Sequence, residues 1–411
     1  MTSSVRVSTS ISATFAVALL FILAATTSQP AQAQTFTVLH SFTGGSDGAY
    51  PLTGLTLDAS GNLYGTTAGG GKGSCQFSNG QGCGIVFKMR RQSAGWTLTP
   101  LYSFTGSDGF LPEGRVAFGP NGILYGTTID GSQQGNHQGT LYSLRPPNHI
   151  CGSLSCPWTL TTLHRFGNGN DGWEPLGDLT FDGAGSIYGT TLAGGGGQGG
   201  TVYKFSAGLE TILYNFPTSS NGSDPSGGVI FDNVGNLWGT AQSGGSSGEC
   251  GVVFMLHPTQ SGWAETVVYN FGQTQTDGCD PIGGVIFDPA GHYLGTTISG
   301  GLTDAGTLYG PSPYGWSFTS LGNIEGGPTT GLTMDSAGNV YGTTYSDGPY
   351  EGGNVFEQAP DGSFVSLHDF TGTDDGGAPR SNVIIDANGN LYGTTAIGGA
   401  YGYGVVWEIT P

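Results

Sequence analysis

Asp386-Ala387-Asn388-Gly389-Asn390-Leu391-Tyr392-Gly393-Thr394-Thr395 decides how this chain folds, because versions of it occur seven times. The glycine in front of the threonines falls at Gly65, Gly126, Gly189, Gly239, Gly295, Gly342 and Gly393, with gaps of 61, 63, 50, 56, 47 and 51 residues. A period of that size means one supersecondary unit per repeat. Asp386 to Asn390 reads as a tight turn: Asp can bond backbone two residues on, and Gly389 supplies positive φ at low cost. The aspartate recurs as Asp58, Asp182, Asp232, Asp288 and Asp335, with Gly119 in the second unit. Asn390 to Thr395 is β-prone except for Gly393. A glycine inside a strand marks close approach of something else, and a neighbouring sheet is the plain expectation.

Outward from this stretch the pattern continues in both directions. Pro51, Pro112, Pro175, Pro225, Pro281, Pro328 and Pro379 each precede the turn position by seven residues. Proline lacks an N–H and suits the first residue of a strand. The strand it opens, here called a, alternates apolar residues, as in Val229 and Phe231 or Val285 and Phe287. The Gly-Thr-Thr stretch is strand b. Strand c follows as Ile85-Val86-Phe87, Val202-Tyr203, Val252-Val253-Phe254, Val355-Phe356 and Val405-Val406-Trp407. Strand d reads Leu-His-Ser-Phe at 39–42 and returns at 101–104, 163–166, 213–216, 268–271 and 367–370, with a degenerate relative near 318–321. Four short antiparallel strands per unit, without sustained helical periodicity, predict an all-β, seven-bladed β-propeller. The chain opens on a lone strand d and ends on a, b and c, so these are expected to pair and complete the seventh blade. That closure would remove exposed sheet edges; a linear array is the alternative.

Composition bounds the rest. Of 411 residues 78 are glycine and 9% are charged, yet 11% are aromatic, which separates the chain from disordered low-complexity sequence. A net charge of −19 disfavours nucleic acid and anionic membrane surfaces as partners. Arg6, the apolar run 15–25 and Ala31-Gln32-Ala33 read as a signal peptide over 1–33, with a mature chain starting at Gln34. An uncleaved anchor is the rival, but the run is too short to span a bilayer.

The motif Asp-x-x-Gly-Asn-Leu-Tyr-Gly-Thr-Thr-x-x-Gly-Gly, clearest at 61–70 and 389–399, resembles the GloVer tandem repeat of secreted bacterial proteins. It is similar in layout to NHL-type propeller repeats. The resemblance covers essentially the whole mature chain and implies a secreted or periplasmic protein. It brings no established activity. Some members carry a C-terminal surface anchor, whereas this chain ends at Ile409-Thr410-Pro411, within or just after strand c.

Six cysteines in an exported chain suggest disulfides. The propeller reading puts Cys75 and Cys83 in one b–c loop, and Cys151 and Cys156 in one c–d loop. Cys250 opens a strand c, and Cys279 lies in a d–a loop on the same face. The expected pairs are 75–83, 151–156 and 250–279. A zinc site is disfavoured because no Cys-x-x-Cys occurs and the cysteines fall on both faces.

Motifs for catalysis are missing: no nucleophile elbow, phosphate loop or His-Glu-x-x-His appears. His40, His164 and His368 hold the strand-d place that tyrosine fills elsewhere and read as structural. His292 replaces a turn asparagine, and His137 and His149 lie in loops. No metal site is assigned from them. Asp47, Asp108, Asp171, Asp277 and Asp374 in the d–a loops could ring one face and hold Ca2+, but Asp-Gly is also ordinary turn chemistry.

Departures from the repeat nominate a binding mouth. Glu113, Arg115, Asp178, Arg380 and Asn382 stand at the start of strand a, where most units carry small residues. Tyr50, Phe110 and Trp173 precede them. Aromatic faces beside hydrogen-bonding groups suit a sugar or peptide. The plain alternative is an Arg115–Asp178 pair between blades, with the aromatics covering blade ends. The expected function is a non-catalytic extracellular glycan- or protein-binding module. A secreted glycan hydrolase or lyase on the same scaffold is the alternative, which paired carboxylates about 5 to 9.5 Å apart at one mouth would favour.

Overall fold

A computed structural model describes Gln34–Pro411 except 78–79, 121, 132–137, 148–157, 168–169, 219–220, 247–248, 275–276, 303, 313–314, 317–318, 321–326 and 329. Residues 2–33, and with them the expected signal peptide, lie outside the described residues, as do Cys151, Cys156, His137 and His149.

Seven four-stranded antiparallel sheets follow one another as the blades of a propeller. Blade 1 comprises strand a at Thr56–Leu57, b at Leu63–Thr67, c at Ile85–Gln92 and d at Gly95–Ser103. Blades 2, 3, 4 and 6 repeat this order within 117–165, 180–217, 230–270 and 333–369. Blade 5 is Val285–Phe287, Tyr293–Thr297, Thr307–Tyr309 and the short Thr319–Ser320. Blade 7 takes Ile384–Ile385, Leu391–Thr395 and Val405–Thr410 from the end of the chain, and Thr35–Ser41 from its start. The last two pair antiparallel, with Thr35 opposite Thr410 and Ser41 opposite Val405.

The repeat motif explains itself in this frame. In blade 7, Asp386 Oδ1 accepts from the N–H groups of Asn388 and Asn390 at 2.8 and 2.9 Å, and Oδ2 from Asn390 Nδ2 and the Tyr392 hydroxyl at 2.8 and 3.1 Å. Gly389 turns the chain at φ 83°. His292, in the place of the asparagine, puts Nδ1 2.8 Å from Asp288 Oδ2. The two threonines have different jobs. The first reaches the next blade, as Thr394 Oγ1 does to the carbonyls of Pro51 and Thr53 at 3.1 and 3.0 Å. The second stays within its blade, as in the Thr191–Thr201 hydroxyl pair at 2.9 Å.

Strand-b glycines are required from within the blade, not by the neighbouring sheet the sequence suggested. Each stands directly opposite an aromatic residue of strand c: Gly65 faces Phe87, Gly189 faces Tyr203 and Gly393 faces Trp407. A β-carbon at these glycines would meet the Phe87, Tyr203 and Trp407 rings at 2.6, 2.7 and 2.3 Å. The ring occupies the space that a side chain on strand b would fill.

Hydrophobic cores lie between blades. Phe42, Leu55, Phe87, Tyr392 and Val406 join blades 7 and 1, and Tyr64, Phe104, Leu124 and Tyr142 join blades 1 and 2. Two expected disulfides are formed, Cys75–Cys83 and Cys250–Cys279, with S–S distances of 2.02 and 2.17 Å.

Strand d carries one further regularity. Its pairing with strand c slips by one residue just before the strand-c aromatic in six blades, leaving Leu39, Leu101, Leu163, Leu213, Val268 and Leu367 unpaired. Such a bulge re-aims the residues beyond it. Those residues are His40, Tyr102, His164, Tyr214, Tyr269 and His368.

Candidate functional site

The seven prolines set the geometry at the axis. Wherever it is not glycine, the residue before each proline lies in the left-handed region: Tyr50 (φ 57°), Leu111 (53°), Glu174 (59°), Asp224 (59°), Asp280 (60°) and Ala378 (51°). Blade 6 has Gly327 there. Such conformations cost on the order of 1–3 kcal/mol each and persist where the surroundings fix them. Here the carbonyl of each accepts from the residue just after strand b, as in Ala68 N to Tyr50 O at 2.9 Å. Several of the N–H groups donate to the preceding blade, as in Tyr50 N to Tyr403 O at 2.9 Å.

In blades 1 to 4 and 7 this turn delivers the first and third residues after the proline to the axis, where they line a cavity of about 380 Å³. Blade 2 contributes Glu113 and Arg115, blade 3 Leu176 and Asp178, and blade 7 Arg380 and Asn382. Blade 1 offers Leu52 and Gly54, blade 4 Ser226 and Gly228, and blade 5 Ile282. Five of the eight residues nominated from the sequence therefore meet. Leu192, Gln242 and Ile298, just after strand b, complete the wall. Sequence reasoning missed these and Ser226, although their fixed distance from the proline or from Gly-Thr-Thr was a usable signal.

Tyr50, Phe110 and Trp173 are not among the described lining residues. Tyr50 is itself the left-handed turn residue and meets Tyr403 edge-on at 5.6 Å. Phe110 packs on the core between blades 1 and 2. The Trp173 ring lies over Gly194, where a β-carbon would come within 2.4 Å of it. The two backbones are held by bridges to Asp130 and Ala193. These aromatics cover blade ends, because the turn that aims the residues after proline at the axis leaves those before it on the loops.

Charges in the cavity are balanced locally. Arg115 Nη2 lies 2.9 Å from Asp178 Oδ2, across blades 2 and 3, with both side chains 33% exposed. The Arg380 guanidinium sits over the Tyr345 ring at 4.7 Å. Asn382 Oδ1 accepts from Gly331 N at 2.9 Å. Burial pushes the Glu113 carboxyl up to about 7, Arg380 opposing the rise and Glu174 adding to it.

The model of the Gloeobacter/Verrucomicrobia repeat matches residues 26–155, 72–309 and 264–411. The chain belongs to this family. A search of curated proteins found no match. Among solved structures, this Gloeobacter/Verrucomicrobia repeat protein resembles virginiamycin B lyase from Staphylococcus aureus, with TM-score 0.55 and 11% identity over 92% of this chain and 99% of that one. It also resembles the extracellular domain of a candidate one-component system, BT4673, from B. thetaiotaomicron, with TM-score 0.54 and 10% identity over 91% of this chain and 40% of that one. At such identities the likeness is one of fold.

A second set of polar side chains sits at the rim of the Gloeobacter/Verrucomicrobia repeat protein. His40 Nε2 lies 3.0 Å from Asp47 Oδ2, His164 Nε2 3.1 Å from Asp171 Oδ2 and His368 Nε2 3.1 Å from Asp375 Oδ2. Tyr102 bonds Asp108, and the Tyr269 hydroxyl donates to Asp277 at 3.1 Å. The same carboxylates accept backbone N–H groups of their loops, such as Thr43 to Asp47 at 3.0 Å. In blade 6 the repeat aspartate is Asp375 and not the expected Asp374, which is exposed. Seven residues separate histidine from aspartate in all three histidine blades, so the register was in the sequence.

Proposed function

We propose that the axial cavity binds a neutral, hydroxyl-rich ligand, a glycan segment in the first instance, and that the chain acts as an exported, non-catalytic binding module. The observation that carries this reading is the gathering of Glu113, Arg115, Asp178, Arg380 and Asn382 at positions where blades 1, 4 and 5 carry leucine, glycine, serine or isoleucine. Arg115 is offset by Asp178, Arg380 lies over the Tyr345 ring and Glu113 is about half-protonated at neutral pH, so the cavity offers hydrogen bonds with only a small net charge. That suits hydroxyl groups better than a highly charged ligand, and the volume is in the range of small-molecule pockets. A protein segment is the other candidate occupant. Export rests on the signal-like residues 1–33 and is supported by two disulfides, which persist in oxidising compartments. Among the described residues no helix is long and apolar enough to cross a membrane.

A second reading draws on Glu113. A carboxyl group held near 7 is suited to general acid–base work at neutral pH, so a glycan hydrolase or lyase on this scaffold is the alternative. A glycan array on the purified protein, with and without Ca2+, tests the first reading. Retained glycans should be lost by the Arg115→Ala/Asp178→Ala variant, and unchanged affinity would remove the cavity from consideration. Release of cleaved glycan by the parent but not by Glu113→Gln would instead establish the enzyme.

A further inference from the structure

Three histidines share one design, and one of them departs from it. In blade 7, His40 pairs with Asp47, and the next blade carries Leu98 at the strand-d register position that Glu210 holds in blade 3. In blade 6, His368 pairs with Asp375, and the ring of Phe36 from the next blade stacks on it at 3.6 Å. In blade 2, His164 pairs with Asp171, but the next blade supplies Glu210. Glu210 Oε2 stands 3.6 Å from His164 Nε2, and its side chain is only 10% exposed. Its other oxygen, Oε1, is buried and has no hydrogen-bond partner.

This arrangement is short of positive charge. Asp171 Oδ1 is satisfied by Gly167 N at 3.1 Å. Asp171 Oδ2 and Glu210 Oε2 then face a single imidazole nitrogen, which carries at most one proton. In so buried a slot a carboxylate without compensation is costly, so in the absence of a cation the Glu210 carboxyl keeps its proton, burial and then Asp171 pushing it up to about 8.

We propose that His164 Nε2, Asp171 and Glu210 bind a divalent first-row transition ion, Zn2+ being the probe of choice, that clamps blade 2 to blade 3. The three ligand atoms lie within 4.8 Å of one another. Metal–ligand bonds of roughly 2.0–2.2 Å place the atoms around a tetrahedral ion about 3.4 Å apart. The separations from Nε2 of 3.1 and 3.6 Å bracket that value. An imidazole with two carboxylates suits such an ion, whereas Ca2+ takes six to eight oxygens. Among the described residues no other group of three metal-ligating side chains converges in this way. A water molecule would complete the coordination shell.

The test uses the full-length chain stripped with a chelator and titrated with Zn2+ against a chromophoric competitor, with thermal unfolding alongside. One site is expected, with a melting temperature that rises with Zn2+. Glu210→Leu restores the apolar residue of blade 1 and should fold while binding at least about 10-fold more weakly, since loss of even an outer partner of a metal ligand costs that much. Glu210→Gln preserves shape and should lose the site to a similar degree. His40→Gln, in the equivalent place of blade 7, should leave affinity unchanged. No uptake by the parent chain at millimolar Zn2+ overturns the proposal, as does undiminished binding by both Glu210 variants. Saturation by Ca2+ but not by Zn2+ overturns the assignment to a transition ion.

Discussion

Trp407 lies across Gly393, its direct partner in the adjacent strand, so closely that a β-carbon at 393 would sit 2.3 Å from its ring. The same relationship holds in all seven blades: Gly126 and Tyr142, Gly239 and Phe254, Gly295 and Tyr309, and Gly342 and Phe356 complete the set. An aromatic residue of strand c thus fills, from the side, the volume beside strand b. The pairing combines a large buried area with a glycine that is otherwise unfavourable in a strand.

Gly393→Ala should therefore destabilise the protein by about 1–3 kcal/mol, the usual cost of forcing a methyl group into a packed interior. Gly183 provides the contrast: a β-carbon there meets nothing within 4 Å, and its φ is not in the left-handed region. Gly183→Ala should stabilise by about 0.4–1 kcal/mol through the unfolded chain. Urea unfolding of both variants checks the pair, and equal effects would contradict the account.

Removing the turn carboxylate has a different cost. Asp386→Ala strips the partner from two backbone N–H groups and the Asn390 amide, whereas the Tyr392 hydroxyl keeps Glu408 Oε1 at 2.9 Å. A loss of about 1–2 kcal/mol is expected from hydrogen bonds of this half-exposed kind. The chain should still fold, because blade 2 makes the turn with Gly119: Gly119 N donates to Ile123 O at 2.9 Å, and Tyr125 moves into the space of the missing side chain. Equilibrium unfolding with near-UV dichroism distinguishes a weakened blade from a disordered one.

Blade count, strand order, two cystines and the axial residues were legible because the repeat fixes them locally. Proline, the Asp-Gly turn and Gly-Thr-Thr each carry their own backbone preference. Glu113, Arg115, Asp178, Arg380 and Asn382 stood out as departures from an otherwise small-residue pattern, and the structure gathers them. What the sequence hid depends on direction. Trp173 and Arg115 both flank a proline turn, but the left-handed residue before the proline sends the first to a loop and the second to the axis. The Glu210–His164 contact was invisible for a related reason. A bulge in strand d resets the alternation just before His164, so simple period-2 counting misplaces the face on which it lies.

Cystine contributions should scale with the chain each bond encloses. Cys250 and Cys279 are 29 residues apart and Cys75 and Cys83 are 8 apart. Treated as loop-closure entropy, these correspond to about 3.6 and about 2.5 kcal/mol. Double serine variants at each pair, compared by thermal unfolding, should show the larger loss for 250–279. The reverse order would mean that local geometry, not loop length, sets the contribution.

Stability should also pass through a maximum in mildly acidic solution. Burial alone would raise the Asp182 carboxyl, but hydrogen bonds from Ser186, Tyr188 and Ala184 hold it down at about 2. Asp58, Asp232, Asp288, Asp335 and Asp386 are lowered by the same arrangement. A carboxyl lowered on folding contributes stability above its unfolded value of 3.8, and this is lost as pH falls towards 2. Glu113 works the other way. It keeps its proton in the folded chain up to about 7, whereas the unfolded chain releases it near 4.5, so stability declines as pH rises between those values. Glu174, Glu265 and Glu357 are raised too, burial being the main cause, and the net charge of −19 adds self-repulsion over the same range. The maximum is therefore expected at about pH 4–5. Urea unfolding across pH, repeated on Glu113→Gln, checks both limbs. The variant should lose part of the decline towards neutral pH and keep the acid limb intact, and a profile that rises steadily to neutrality in both proteins would refute the assignment of Glu113 as the group that weakens the fold there.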